Sequence, residues 1–476
     1  MAGLVAGVDC RKISRMQSLS LALYSLLMWC AQPLLRMKLL MRGRKEQGYL
    51  TQIEERFGRY THLQVHLNAN QNLDQQRKDI RFVWVHAVSL GETRAAAVLV
   101  TELRKRMPGM RLLLTNGTAT GRAEGETLLQ ADDVQVWQVW DTPAAVKRFL
   151  NHFQPSMGIM METELWPNMV HQCAEHGIPL TVANARMSEK SYRATTQFAW
   201  LAQPAYQSLA AVWAQSLEDA KRFSQLGAKR VEVLGNLKFD AEVDATKLEQ
   251  GQKLGSTHAI ITLASSREGE ELAFLRSIQK YMKNKPVVGV NTAYSAIKNI
   301  ANVKNTTWMI VPRHPQRFDA VAQLIESQGF KVSRRSQWSV DAMGNLQREA
   351  DDNTILLGDS LGEMALYYGM SDVALLGGSF EPLGGQNLIE AAACGCPVVM
   401  GPSVFNFAEA AQLSLQAGAA VQVDAMQLAV QAACDMVHNR EALQGAQEAA
   451  LAFAKAHQGA AVKTADAIVK SLHQRH

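Results

Sequence analysis

The chain has 476 residues, 47% of them hydrophobic and 20% charged, with a net charge of +5. That apolar content is enough for full-sized cores and excludes a disordered chain, and the charge is too small to mark a nucleic-acid binder, so no nucleic-acid partner is expected. The six cysteines are scattered with no CxxC pair, and Cys394 and Cys396 stand too close for a zinc ribbon; free thiols in a reducing compartment are expected.

Residues 17–35 carry no charge and approach the ~20 residues that span a bilayer, although serines, Gln32 and Pro33 moderate their hydrophobicity. No small-residue cleavage site is evident and a basic run follows at once, so a signal anchor or a helix lying in the interface is expected rather than a cleaved signal peptide. Arg36, Lys38, Arg42, Arg44 and Lys45 follow the segment, against Arg11, Lys12 and Arg15 before it. This asymmetry predicts a cytoplasmic body, and the cluster would attract anionic headgroups. Residues 1–45 are therefore read as an extension and membrane anchor.

Residues 46–240 read as a first domain. Short apolar runs at 82–88, 112–115, 134–139, 158–161, 180–183, 212–214 and 231–234 alternate with helical patterns, the first of them at 93–106. Residues 241–258 are polar without apolar period and read as a linker. The pattern restarts in a second domain, 259–476, with strands at 260–264, 308–311, 355–357, 373–376, 397–400 and 420–423 and helices at 316–328, 362–369 and 387–394. Residues 334–353 read as an exposed polar loop, and the Ala-rich end as helix that can pack back on the first domain. Strands spaced by helices predict parallel α/β sheets. The expected architecture is two Rossmann-like domains facing across a cleft, with ligands at the carboxyl ends of the strands.

The chemistry-bearing blocks sit at such ends. Glu92, in Val88-Ser89-Leu90-Gly91-Glu92, follows the first strand, with Gly91 allowing a tight turn; it reads either as a helix-dipole carboxylate or as a general base. Glu162 and Glu164 follow a later strand, Glu162 suited to the cleft and Glu164 to structure near Pro167. Lys238 and Arg186 are each read as a surface ion-pair residue or as a cation that offsets a phosphate or carboxylate. In the second half, Ser265 and Ser266 open a helix whose amides suit an anion. Arg313, after Pro312, suits bidentate phosphate or base contact. Leu361, Gly362 and Glu363 precede a helix. The block 377–390 offers small residues for close backbone approach, Gly378 and Ser379 among them, and then Asn387, Leu388, Ile389 and Glu390 at a helix start, where the carboxylate suits ribose hydroxyls or serves only as a cap.

Several motifs are absent: GxGxxG after a first strand, a phosphate-binding GxxxxGK[ST] loop, GxSxG and HExxH. No Asp-x-Asp pair for a nucleotide-diphosphate metal occurs, which favours metal-free chemistry with a monophosphate leaving group. His86, His152 and His314 stand isolated and read as structural.

Taken in order, VSLGE (88–92), METELWPN (161–168), NARMS (184–188), GNLKFD (235–240), ASSREGEE (264–271), VPRHPQRF (311–318), GDSLGEM (358–364) and GGSFEPLGGQNLIEAAACGCPVVMGP (377–402) resemble the Kdo (3-deoxy-D-manno-octulosonic acid) transferases of lipopolysaccharide synthesis. The resemblance implies a GT-B glycosyltransferase fold, an inverting displacement, CMP-Kdo as donor and a lipid A precursor such as lipid IVA as acceptor. It also implies attachment to the cytoplasmic face of the inner membrane and no cofactor or metal. It implies Glu92 as the base and Glu162 and Lys238 as groups that steady the transition state. Pro312, Arg313, Leu361–Glu363 and Asn387–Glu390 match the family's CMP-binding positions. The alternative is another membrane-associated GT-B lipid glycosyltransferase with a different donor. Residues 1–14, the stretch 241–258 and the loop 334–353 depart from the family pattern, as does the turn Asn116–Gly121.

Overall fold

The computed structural model describes residues 10–63, 82–255, 259–283, 306–340, 346–347, 351 and 353–473. The chain divides into two units, one formed by residues 1–241 with 458–476 and the other by residues 242–457.

The first unit is built on a parallel sheet of β1 (Phe82–His86), β2 (Arg111–Asn116), β3 (Val134–Trp137), β4 (Met157–Met161), β5 (Leu180–Ala185), β6 (Ala211–Ala214) and β7 (Val231–Val233), in the order β3-β2-β1-β4-β5-β6-β7. The central strands β1 and β4 are buried along their whole length, as expected where helices cover both faces. Trp84 and Leu113 point into one core with Phe149 and Phe153, while Val83, Val85, Leu112 and Leu114 point into the other with Leu99 and Leu103. Each such side chain, fully buried, contributes roughly 1.5–3 kcal/mol. Ser89, Thr118, Ser188 and Ser216 cap the helices that follow, each accepting a main-chain N–H. The first helix spans Leu90–Arg106, starting three residues before the apolar period suggests, because a Ser89 cap needs no apolar residue.

The N-terminal helix runs Cys10–Lys45 with Pro33 inside it. Among the described residues no helix is long and apolar enough to cross a membrane. Leu39 and Gly43 are buried, whereas Leu23, Leu26, Trp29, Leu34 and Met37 are more than half exposed. Arg36 lies over the Phe57 ring and Arg42 over Tyr49, both in the first unit.

The second unit repeats the plan with β8 (Ala259–Ser266), β9 (Thr306–Pro312), β10 (Lys331–Arg334), β13 (Thr354–Leu357), β14 (Val373–Leu376), β15 (Val398–Met400) and β16 (Ala420–Gln422), all in one parallel sheet of order β10-β13-β9-β8-β14-β15-β16. A separate antiparallel pair joins β11 (Ser339–Val340) to β12 (Leu346–Gln347).

Two boundaries differ from the sequence reading, those of the supposed linker and of the polar loop, while the final helix packs back on the first domain as expected. The supposed linker 241–258 contains a helix, Ala245–Gly255, that belongs to the second unit. A Cβ on Gly251 would stand 2.2 Å from the Leu366 carbonyl oxygen, and one on Gly255 2.5 Å from that of Met370. Glycines carry this contact with helix Met364–Met370, so no apolar period marks it. The final helix, Ala460–His473, belongs to the first unit, where Ala461, Ala465 and Ile468 join the core around Leu99. The stretch 334–353 is no free loop at its start: Arg334, Arg335 and Ser336 are bound to Asp359 and Glu363, so the polar groups of these three residues are spent on internal bonds.

Candidate functional site

Both sheets place their candidate residues at the point where strand order reverses. In the first, the chain runs from β1 outward to β3 and then returns to β4 on the other side of β1. Loops after β1 and β4 therefore diverge and leave a crevice at their carboxyl ends. Glu92 follows β1 and Glu162 follows β4. In the second, the same reversal lies between β8 and β14, with Ser265–Ser266 at the end of β8 and Gly377–Ser379 in the loop after β14.

Glu92 is the third residue of its helix. Its main-chain N–H donates to Ser89 Oγ, and its carboxylate reaches back, accepting from Ser89 Oγ at 2.8 Å and from the Val88 N–H at 2.9 Å. This resembles a capping box, with the carboxylate accepting from the Ser89 hydroxyl and the Val88 N–H in place of the Ser89 N–H, so the structural reading of Glu92 holds. It does not exclude the chemical one. Burial pushes the carboxyl up to about 7; the Val88 and Ser89 bonds oppose that rise, and the charges of Glu162 and Glu164 add to it. A carboxyl at that value is matched to proton abstraction near neutrality. Gly91 makes no tight turn. It lies in the first helical turn with nothing within 4 Å of where a Cβ would stand, which leaves the space beside Glu92 open.

Glu162 adopts a left-handed backbone, φ 58°, as the chain leaves β4, and its N–H donates to the Ala183 carbonyl. Its Oε1 lies 2.8 Å from Lys238 Nζ. Lys238 is delivered by a single helical turn, Leu237–Asp240, held by two asparagines: Asn236 accepts the Lys238 N–H, and Asn184 accepts the Leu237 N–H. Asp240 in the same turn accepts from Gly459 and Ala461, tying in the final helix. Arg186 follows β5, half-buried. Glu164 is not a helix cap, because Asp141 takes that part; burial raises its carboxyl, with the Trp166 side chain opposing. His86 is fully buried, bonded to Thr115 and driven down to about 4 by burial, which fits its structural reading.

In the second unit Arg313 Nε donates to Gln386 Oε1 at 3.2 Å and its N–H to the Ser266 carbonyl at 3.1 Å. Gln386 bonds Gly377 through its own N–H. These contacts gather Pro312, Arg313, the loop after β8, the loop after β14 and Asn387 at neighbouring strand ends. Asn387 caps helix Leu388–Ala393 by accepting from Ile389. Leu388 and Ile389 turn into the core, while Glu390 remains half-buried. Glu390 and Arg313 act on the buried Tyr368 hydroxyl with opposite sign, so both charges lie within reach of one atom. Leu361 is 68% exposed beside Gly362, φ 71°, with open space over that glycine.

Two serines depart from expectation. Ser266 is fully buried and donates to Glu271, whose carboxylate is also gripped by the two arms of Arg317. Ser379 is fully buried between the Leu376 carbonyl and the Gly401 N–H. Their hydroxyls are spent on these internal bonds; Ser265, at φ 56°, is the residue at the turn. The amides expected to await an anion are partly taken by the protein itself, since Glu270 accepts from the N–H groups of Arg267, Gly378 and Phe380. Sequence reading passed over Glu270, Glu271, Arg317, Gln386, Asp141 and Asp240. The acidic pair at a helix start was the one visible signal for the first two.

Residues 51–241 match the family model described as 3-deoxy-D-manno-octulosonic-acid transferase (kdotransferase). The chain is 41% identical over 396 residues to the 3-deoxy-D-manno-octulosonic acid transferase of Bordetella pertussis, covering 81% of this chain and 86% of that one. It is 30% identical to the Haemophilus influenzae enzyme of the same name, covering 88% and 92%. Among solved structures, UDP-GlcNAc 2-epimerase from Neisseria meningitidis aligns with a TM-score of 0.52 at 15% identity, covering 83% of this chain and all of that one. A glycosyltransferase from Rickettsia africae gives 0.52 at 13% identity, with the same coverage; at such identities the likeness is one of fold alone, that of paired Rossmann-like units. With these relatives spanning most of its length, the chain belongs to the 3-deoxy-D-manno-octulosonic acid transferases, glycosyltransferases of lipopolysaccharide synthesis.

Proposed function

We propose that the chain moves Kdo from CMP-Kdo to a hydroxyl of a lipid A precursor in one inverting displacement. Glu92 takes the proton of the acceptor hydroxyl as that oxygen bonds to the anomeric carbon. The bond from that carbon to the phosphate oxygen breaks, and CMP leaves with the electron pair. Negative charge passes from the acceptor oxygen to the phosphate, where Arg313 and main-chain N–H groups offset it. The Lys238–Glu162 pair holds a fixed dipole beside the reacting hydroxyl, and Arg186 lies on the acceptor side. The turn 361–363 and Asn387–Glu390 hold the nucleoside.

The observation that carries this reading is the carboxyl of Glu92: capped, largely buried, raised to about 7, and set across the strand reversal from an ion-paired Glu162. The reading needs no divalent metal, since a single phosphate leaves and Arg313 supplies positive charge; full turnover in chelator is the corresponding expectation. It also puts the protein at the cytoplasmic face of the inner membrane. The support is the exposed apolar side of helix Cys10–Lys45 flanked by Arg36, Lys38, Arg42 and Arg44. The helix would lie in the interface, with its other side on the first unit.

The deciding experiment incubates purified protein with CMP-Kdo, with and without lipid IVA in anionic vesicles. CMP release that depends on the lipid, with a product heavier by Kdo, is expected. Release without lipid, or transfer from a UDP-hexose in preference, overturns the assignment.

A further inference from the structure

Helix Pro167–Glu175 starts without a cap of its own. Trp166, at the cap position, provides no side-chain hydrogen bond, and the next N–H groups belong to Asn168 and Met169, both buried. Leaving a buried N–H unmet costs about 1–3 kcal/mol. Asp141, from the loop after β3, meets both: its Oδ2 accepts from Asn168 at 3.0 Å and its Oδ1 from Met169 at 2.8 Å, while the Asn168 side chain donates to the Asp141 carbonyl at 2.7 Å. Asp141 is 2% exposed, so every donor to its carboxylate counts.

The last donor comes from far away in sequence. The hydroxyl of Tyr24, on the N-terminal helix, donates to the Asp141 carboxylate. The adjacent Ser25 places its Oγ 2.9 Å from Asn168 Oδ1, and 2.7 Å from the Leu21 carbonyl of its own helix. Two consecutive residues of one helix thus grip both members of the Asp141–Asn168 pair. Between that pair and β4 lie only residues 162–167, the turn that carries Glu162 and Glu164. One end of the turn is fixed by the bond from Glu162 N–H to Ala183, and the other by Asp141.

We propose that Tyr24 and Ser25 are positioning residues for the transfer reaction, acting through Asp141 and Asn168 to hold the Glu162–Trp166 turn against Glu92. The inference rests on the reaction proposed above. It makes the N-terminal helix a working part of the acceptor side in addition to a membrane contact. The titratable groups facing Asp141 are Tyr24 and Cys173, both pushed up by burial and therefore neutral at pH 7. Asp141 itself is raised to about 6 by burial, with the Asn168, Tyr24 and Met169 bonds opposing. Loss of the Tyr24 hydroxyl raises it further, so at neutral pH more of the carboxyl is protonated and one accepting oxygen is compromised.

The test uses the full chain on anionic vesicles with CMP-Kdo and lipid IVA. Tyr24→Phe keeps the ring and removes the donor. It is expected to lower kcat about five- to twentyfold, an effect of mispositioning, with KM for CMP-Kdo, CMP affinity and vesicle binding unchanged. The loss should deepen as pH falls below 7. Combined with Asp141→Asn, it should add nothing to that variant's loss, because both break one chain of bonds. Hydrogen exchange over residues 162–169, which needs no reaction, should quicken in Tyr24→Phe. Wild-type kcat, additive losses, or unchanged exchange would each overturn the proposal. Ser25→Ala should shift kcat and exchange in the same direction, and decides the matter if Tyr24→Phe does not fold. If the wild-type chain transfers no Kdo, the reaction assignment fails, while exchange still tells whether Tyr24 holds the turn.

Discussion

Lys238 Nζ stands 2.8 Å from Glu162 Oε1, with less than a fifth of either side chain exposed, and the Glu162 charge in turn acts on Glu92. Lys238 is thus paired with the carboxylate whose charge adds to the burial-driven rise of Glu92. Glu162→Gln removes the negative neighbour that raises Glu92. The acid limb of kcat/KM should then move to lower pH, even as kcat itself falls. Lys238→Met should move that limb to higher pH by exposing Glu92 to an uncompensated carboxylate. A pH–rate profile of each variant checks the pair; limbs that stay in place would mean that Glu92 is not the titrating base.

Glu92→Gln tests the base itself. General-base catalysis contributes about 10²–10⁴-fold, and a loss of that order in kcat is expected, with CMP affinity intact. Wild-type kcat/KM should rise with pH through about 7 as Glu92 loses its proton. Stability should behave in the opposite sense. Because its folded value lies above the unfolded one, Glu92 contributes stability that is fully present below the unfolded range and lost as pH rises through about 7. Glu92→Gln should therefore melt higher than wild type at pH 8, where the buried charge is costly, with the gain gone by pH 5. Calorimetry at the two pH values reads this directly.

Why the sequence revealed the strand ends that carry the candidate residues but mislaid some boundaries follows from what each rests on. Glu92 and Arg313 lie just past apolar strands, so their placement at strand ends was legible. Helix Ala245–Gly255 was not, because Gly251 and Gly255 make its contact and glycine leaves no hydrophobic trace. Ser266 and Ser379 looked like ligand groups, since a serine at a strand end reads the same whether it faces ligand or core; only Glu271 and the Gly401 N–H, distant or ambiguous in sequence, decide it. Asp141 carried no local signal at all, as the helix it caps begins more than twenty residues later.

The glycine contact gives a sharp stability prediction. Gly251 has no left-handed backbone to protect, so the clash with the Leu366 carbonyl is the main consequence of a side chain there. Gly251→Val should cost at least about 1–3 kcal/mol, the usual range for overpacking. Helix Met364–Met370 starts immediately after the turn 361–363, so CMP affinity should fall with it. A melting transition that CMP no longer raises to the wild-type extent is the expected readout.

The last prediction concerns what holds that turn. Leu361 is exposed, and the Gly362 carbonyl accepts from Lys247 Nζ at 2.9 Å; beyond that bond the turn depends on its flanks. Asp359 accepts from Arg334 Nε at 2.7 Å and from the N–H and hydroxyl of Ser336 at 2.8 and 2.7 Å, and burial is outweighed by these bonds, leaving its carboxyl below the usual range. Glu363 accepts from Arg335 at 2.9 Å and from Ser360. The stretch after β10 is thus the cradle of the proposed nucleoside turn. Arg335→Ala should free the Glu363 end and weaken CMP about tenfold, close to 1.4 kcal/mol, while the pH profile set by Glu92 stays in place. Lysine should restore little, because a single ammonium on a flexible stem does not reproduce the planar guanidinium donor. Calorimetric titration with CMP measures both variants. Wild-type affinity in Arg335→Ala would show that the turn is ordered without the Arg335–Glu363 bond.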